Sequence, residues 1–339
     1  MRNQQQKSNK LVVPAPVSVP AYTKIGLIYN PLGGWFRKHS PRAKELLAAL
    51  PEIKQIQATD AGEFEQAIIT LLKMKIEWLI VVGGDGTLQG VISCLFEHLS
   101  PHDWPAITIV PAGTTNMTAL DLGTDGQAES ILLKIKHYLS QPEELAKNIE
   151  RPVLRIEQTG KKNVYGMMLG LGLIARGVKF SRSRIKQIGV TGDIFTILIV
   201  LRSLVGTFLG RPQPAWAPVH ITQKNSNGVV CEKIYLFALV SALEKLLLGI
   251  RPYWGQESAP LHATFVEQGS KHFWRNIWAL IMGRGQHLRK EDGYDSYNAA
   301  AIELWLDDEY IVDGELYHAS SRHGPLRIVA DGPIRFRVL

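Results

Sequence analysis

The stretch WLIVVGGDGT, from Trp78 to Thr87, ends a run of apolar residues in three glycines, an aspartate and a threonine. Glycines at a strand end let the backbone take positive φ and let a bulky anion approach the amides. Leu88, Val91, Ile92, Leu95, Phe96 and Leu99 follow at helical spacing, which predicts a helix beginning near Thr87. Its unpaired N–H groups and positive dipole end favour an anion by about 0.3–2 kcal/mol. Asp85 would repel a phosphate bound there unless a divalent cation lies between the two. The chemistry suggested is metal-assisted handling of phosphate, but the same residues also suit a plain strand-to-helix turn capped by Asp85.

Two further turns repeat the pattern. ITIVPAGTTNMTAL follows a strand and joins a glycine to Thr114, Thr115 and Asn116, small donors able to line a nucleotide. TKIGLIYN ends in Asn30-Pro31-Leu32-Gly33-Gly34, followed by Arg37 and Lys38. Three such turns need a sheet that presents them at one edge, and the first half of the chain supplies it. TKIGLIYN, IKQIQAT, WLIVV and ITIVP read as strands; PRAKELLAAL, after Ser40, and EFEQAIITLLKM, after the Asp60/Glu63 capping box, read as helices. This alternation predicts a doubly wound, mostly parallel α/β sheet, whose strand ends form a ligand crevice.

Near residue 150 the pattern changes. VLRIEQ, NVYGMML, PVHITQ, GVVCEKIYLFALV, LHATFVE, AIELWL and RFRVL read as strands, Asn227-Gly228 as a hairpin turn, and GDIFTILIVLRSLVG and KHFWRNIWALIMG as helices. The expected organisation is a tail over 1–22, an α/β domain over 23–150 and a β-rich sandwich or barrel over 151–339, with the last strand able to return to the first domain.

With 38 Lys and Arg against 31 Asp and Glu, the net charge of +7 suits an anionic partner without choosing one. Two distant cysteines, Cys94 and Cys231, exclude a disulfide framework and a thiolate zinc site; Cys94 falls on the apolar side of its helix. No stretch approaches 18 uninterrupted apolar residues, and Pro14, Pro16 and Pro20 break the apolar run near the start. The expected location is the cytoplasm.

Taken together, GGDGT at Gly83–Thr87, NPLGG at Asn30–Gly34, PAGTTN at Pro111–Asn116 and the late D-G-E at Asp313–Glu315 resemble the diacylglycerol kinase-like lipid kinases. That group includes sphingosine kinases and bacterial lipid kinases, and the resemblance covers about residues 23 to 339. GGDGT is shared with NAD kinases, so its combination with D-G-E gives the specificity. The resemblance implies a NAD kinase/diacylglycerol kinase-like first domain with a C-terminal β-sandwich, and transfer of the ATP γ-phosphate to a lipid hydroxyl such as that of diacylglycerol. It places Asn30, Gly83, Gly84, Asp85, Gly86, Thr87, Thr114 and Asn116 about the nucleotide, with Thr59 in contact with it. Glu315 becomes the general base, and Asp85 holds Mg2+. The implied partners are a lipid at a membrane surface and its anionic head groups, with peripheral membrane association and no nucleic acid; a homodimer stays open. The chain departs from the family at Met117, where members carry aspartate, with Asp121 four residues on. It also has GLGLIA for G-F-D-A, and Ser258 for an aspartate of a structural magnesium site. The other readings are a soluble NAD-type kinase and a nucleotide- or lipid-binding relative without catalysis.

Several features compete with this reading. GLGLIA, Gly170–Ala175, fits a dinucleotide fingerprint but lacks a βαβ setting. His318 and His323 are read as surface residues. Lys179, Arg182, Arg184 and Lys186 form a basic run, read as a solvated loop or a head-group contact. Trp274, Ile277, Trp278 and Ile281 share one helical face between basic flanks, which is read as core packing in preference to an interfacial anchor.

Overall fold

The computed structural model describes residues 24–113, 115–124, 126–141, 146–179, 219–224 and 230–339. The tail, Thr114, the apolar run from Gly192, the Asn227-Gly228 turn, and Arg182, Arg184 and Lys186 lie outside these residues.

Strands β1 (Ile25–Tyr29), β2 (Lys54–Gln57), β3 (Trp78–Gly83) and β4 (Ala106–Pro111) pair in parallel in the order β2-β1-β3-β4. Side chains alternate between the two faces, as the period of two requires. Leu27, Ile80 and Val82 pack on one face with Leu46, Leu47 and Ile131, from α2 (Ser40–Ala48) and α6 (Ala128–Ser140). Ile28, Leu79 and Val81 pack on the other with Ile68, Leu71, Val91 and Ile92, from α3 (Ala61–Lys73) and α4 (Asp85–His98). A sheet covered on both faces explains why β3 is buried at every position.

Asp60 caps α3 as the sequence suggests, its carboxylate accepting the Glu63 N–H at 2.9 Å. Ser40, expected as a cap, is instead the first helical residue of α2. The short helix α1 (Gly34–Lys38) ends one residue earlier, so His39 serves both as its C-cap and as the N-cap of α2. Helix α4 likewise starts at Asp85, two residues before the expected Thr87, with Gly84 as its N-cap.

The remaining strands are β5 (Lys147–Glu157), β6 (Val164–Gly166), β7 (Met168–Gly172), β8 (Val219–Lys224), β9 (Val230–Ser241) and β10 (Leu261–Glu267). They are followed by β11 (Tyr294–Ala299), β12 (Ala301–Trp305), β13 (Asp308–Val312), β14 (Glu315–Ala319) and β15 (Leu326–Val338). These pair antiparallel among themselves, as in the expected β-rich half. The last strand, β15, runs antiparallel to β5 and β12 and then lies parallel to β4, with Phe336 opposite Ile107. A relay locks this join: Trp78 Nε1 donates to Thr108 Oγ1 at 2.8 Å, and that hydroxyl donates to the Arg337 carbonyl at 2.7 Å. One apolar cluster runs from Ile92 and Ile107 through Tyr165 and Leu239 to Phe336, so both halves share a core.

GLGLIA forms the end of β7 and the start of a helical stretch over 173–179. A helix does follow, but β7 pairs antiparallel with β9 and β13, so no βαβ unit exists there, as the sequence suggests. Lys179 pairs with Glu309 at 2.7 Å. The helix Phe273–Ile281 overturns the core reading: only Leu280 is buried, while Trp278 is 72% exposed and Trp274 37%. Among the described residues no helix is long and apolar enough to cross a membrane.

Candidate active site

Parallel pairing decides where the site can be. Tyr29 lies opposite both Gln57 and Val82, and Gly83 lies opposite Pro111. Asn30, Thr59, Gly84 and Gly113 therefore leave the sheet at one edge, the carboxyl edge of all four strands.

The glycines work here by packing and not, as the sequence suggested, by positive φ. Among the described glycines with positive φ, none is Gly83, Gly84 or Gly86. A Cβ on Gly83 would stand 2.5 Å from the Thr87 side chain. A Cβ on Gly84 would stand 2.9 Å from Gly113 Cα, and one on Gly113 only 2.3 Å from Gly84 Cα. The two loops thus touch backbone to backbone. Asn116, left-handed at φ 47°, fixes the second loop by pairing its amide with both the N–H and the C=O of Gly113 at 3.0 Å. Gly113→Ala should lower stability by about 1–3 kcal/mol, the usual cost of overpacking. Gly90 on α4 has nothing within 4 Å of an added Cβ. Gly90→Ala should therefore raise stability by roughly 0.5–1 kcal/mol. Thermal melts of the two variants check the pair, and equal behaviour would contradict the contact.

Asp85 is 6% exposed and joins the same loops. Its Oδ2 accepts from Thr115 Oγ1 at 3.0 Å and from the Met117 N–H at 2.9 Å, while Oδ1 accepts from the Thr118 N–H at 3.1 Å. Asn116, the N-cap of α5 (Met117–Asp121), makes no side-chain cap bond, and Asp85 supplies that bond from another helix. Asp121 does not take up a place beside Asp85. Its buried carboxylate instead accepts from Arg151 Nε at 2.8 Å and the Lys245 N–H at 2.9 Å, tying α5 to the β-rich half.

A cavity of about 350 Å³ opens beside these loops and brings together Asn30, Thr59, Gly86 and Thr87. Asn30 Oδ1 accepts the Leu32 N–H at 2.8 Å, which shapes its turn, and the Thr59 hydroxyl donates to Glu63 Oε2 at 2.6 Å. Lys162 reaches in from the β5–β6 loop and pairs with Glu97 at 3.0 Å. It faces Asp60, Glu65 and Glu97 as the one Lys or Arg among the described lining residues. Glu65 and Glu97 line the exposed wall of the cavity, and their ligand atoms and those of His98 all lie within 4.8 Å of one another. An anion here therefore needs the α4 N-terminus and a counter-cation. Burial first, then Glu65 and Glu97, push the Cys94 thiol up to about 11, so it is no nucleophile. An adjoining hollow of about 450 Å³, sharing Ser93, Glu97 and Lys162, continues to Tyr310 and Tyr317.

Glu315 comes to this cleft on a hairpin. Val312 pairs with Glu315 across the two-residue turn Asp313-Gly314, both at positive φ, 48° and 91°. That is the type I′ geometry that Asp-Gly favours between right-twisted strands. The Asp313 carboxylate accepts the Met167 and Met168 N–H groups at 2.8 and 3.0 Å, which also explains the break between β6 and β7. Gly166 makes room for it, since a Cβ there would stand 2.6 Å from Asp313 Oδ2. Burial, and next the charge of Asp85, push the Asp313 acid up to about 8. Beyond the turn, Glu315 Oε1 lies 3.9 Å from where a Gly86 Cβ would be. Gln89, buried one turn after Asp85, donates to the Tyr317 hydroxyl at 3.2 Å and clasps α4 to β14.

The fold thus assembles Asn30, Thr59, Gly86, Thr87 and Glu315 about one cleft, with Gly83, Gly84, Asp85 and Asn116 as its floor; Thr114 lies outside the described residues. Sequence reasoning missed Gln89, Lys162, Tyr317 and the positioning part of Asp313. Gln89 gave a signal as a polar residue four after Asp85 on an otherwise apolar helix. Lys162 gave none. His318 and His323 are exposed, as expected.

Residues 24–147 match the family model described as the diacylglycerol kinase catalytic domain. A comparison with curated proteins found no match. Among solved structures, a candidate diacylglycerol kinase from Bacillus anthracis strain Sterne is similar with a TM-score of 0.63 and 19% identity, covering 94% of this chain and 97% of the other. Another B. anthracis structure, described as a diacylglycerol kinase, gives 0.58 at 17% identity with the same coverage. Yeast NADH kinase in complex with NADH gives 0.52 at 10% identity, over 93% of this chain and 83% of that one. The shared fold spans nearly the whole chain, while the family match falls on the parallel-sheet part that holds both glycine loops. Residues 24–147 thus match the diacylglycerol kinase catalytic domain, and nearly the whole chain shares its fold with these solved kinases.

Proposed function

We propose that the protein transfers the γ-phosphoryl group of ATP to the hydroxyl of a lipid, diacylglycerol or a related molecule. The observation that carries this reading is the Glu315 carboxylate facing the Gly86 position at the mouth of the glycine loop. The acceptor oxygen forms a bond to the γ-phosphorus as the bridging P–O bond to ADP breaks, and Glu315 takes the hydroxyl proton. Gly86 leaves space before the α4 N-terminus, whose N–H groups and dipole favour phosphate oxygens. Lys162 can exchange its Glu97 partner for a phosphate. Asn30 and Thr59 line the nucleotide side.

The donors suit a hard divalent cation. Asp85 is a buried carboxylate, and its charge helps to raise the acid of Asp313, so the two stand near one another. Asp85 Oδ2 already accepts two hydrogen bonds, so Oδ1 offers its remaining lone pair. When bound, Mg2+ would neutralise charge on the transferring phosphoryl group.

Labelled ATP offered to a total lipid extract, and in parallel to NAD, tests the proposal. A phosphorylated lipid is the expected product. Phosphorylation of NAD alone would make this a nucleotide kinase, and ATP binding without turnover on any lipid would make it a non-catalytic relative.

A further inference from the structure

We infer that the helix Phe273–Ile281 is an interfacial element that docks the protein onto an anionic bilayer, with Trp278 and Met282 entering the head-group layer. Among the described residues the buried contact of the helix is on one side, where Leu280 packs in a small cluster with Trp254, Val266 and Tyr294, with Phe273 beside it. Trp274, Trp278 and Met282, each four residues apart, line up along its outer side, and Trp278 and Met282 are 72% and 53% exposed. Trp278 and Met282 left in water gain nothing from the core, and adjacent large apolar groups at the surface point to a function for it.

Charge complementarity selects the occupant. Residues 271–290 hold Lys271, Arg275, Arg284, Arg289 and Lys290 and no acidic residue. Lys271, Arg289 and Lys290 face Asp292, Glu291 and Asp295, but Arg275 and Arg284 have no carboxylate partner among the described residues. Arg275 and Arg284 share with His287, Trp278 and Met282 an open groove of about 640 Å³, so unpaired guanidinium groups flank the exposed indole. Apolar tips beside unpaired arginines match the layered chemistry of a membrane surface, where indoles settle at head-group level and arginines meet lipid phosphates. A stable protein partner would need about 800 Å² of this side. A stripe of three side chains is far smaller than that, yet it suffices for shallow insertion. The inference rests on the lipid-acceptor reading only for its purpose, which is to bring the cleft to its substrate; the docking itself requires no turnover.

Sedimentation of the full chain with vesicles of phosphatidylcholine, alone or mixed with phosphatidylglycerol, measures the docking. Binding should appear with the anionic vesicles and weaken with salt. Arg275→Gln and Arg284→Gln should each weaken it roughly fivefold. Trp278→Ala combined with Met282→Ser should weaken it at least as much as both arginine changes together, with an unchanged melting temperature. Brominated lipid should quench wild-type fluorescence more than that of Trp278→Phe, which shows whether this indole enters the bilayer. Variants that bind vesicles like the wild type, equal quenching in wild type and Trp278→Phe, or a loss of self-association on Trp278→Ala would each overturn the proposal. Vesicle binding without phosphorylation of any lipid would refute the acceptor reading and leave this surface standing. Lipid phosphorylation with vesicle binding indifferent to these variants would do the reverse.

Discussion

Glu315→Gln should lower kcat by about 10²–10⁴-fold, the usual contribution of a positioned general base, while ATP affinity stays close to wild type. The two effects separate because Glu315 stands on β14 and faces the glycine loop from the β-rich half, whereas the nucleotide side is built from Asn30, Thr59 and the α4 N-terminus. Glutamine keeps the shape but cannot take the hydroxyl proton. The fold should be indifferent, since the turn that places residue 315 is held by the Asp313 carboxylate on the Met167 and Met168 N–H groups. Single-turnover assays with saturating lipid, paired with ATP titration, give both quantities. A variant within threefold of wild-type kcat would remove Glu315 as the base and leave it a surface residue of the hairpin.

The first half of the fold was legible because its signals are local. WLIVV is buried on both faces, Asp60 caps its helix as written although Glu63 reaches back to Thr59 instead of completing the box, and glycine turns mark where strands end. What the residues do at those ends was less legible. GGDGT invites an argument from positive φ, yet its glycines matter because Gly84 and Gly113 touch, and a contact 29 positions apart leaves no local trace. In the β-rich half, β11 carries the sequence YDSYNA, which lacks apolar alternation because most of its positions are only partly buried. The tryptophan helix misled for the opposite reason. Its apolar periodicity is strong, and periodicity reports that a face is apolar without saying what covers it. D-G-E showed its turn through Asp-Gly, but the reach of Glu315 to Gly86 follows from β15 returning to β4, a long-range pairing that no spacing in the sequence encodes.

Asp85→Asn should abolish most activity and also lower the melting temperature, a combination that follows from where the carboxylate sits. The Met117 N–H goes to one oxygen and the Thr118 N–H to the other, so an asparagine must turn its NH2 group toward one of them. A buried donor left facing a donor costs about 1–3 kcal/mol. Loss of the charge at the N-terminus of α5 adds up to about 1 kcal/mol. With a melting shift of about 2–4 °C per kcal/mol, the variant should melt roughly 2–16 °C below wild type. Activity must therefore be compared at a temperature where both proteins are folded, with magnesium varied. If Asp85 holds the cation as well as the loop, the variant needs far more magnesium and stays slow even at saturation. If it only staples the two glycine loops together, the magnesium requirement is unchanged and activity returns once the fold is secure. Recovery to near wild-type rates in the cold would assign Asp85 wholly to the scaffold and leave the cation to other oxygens of the cleft.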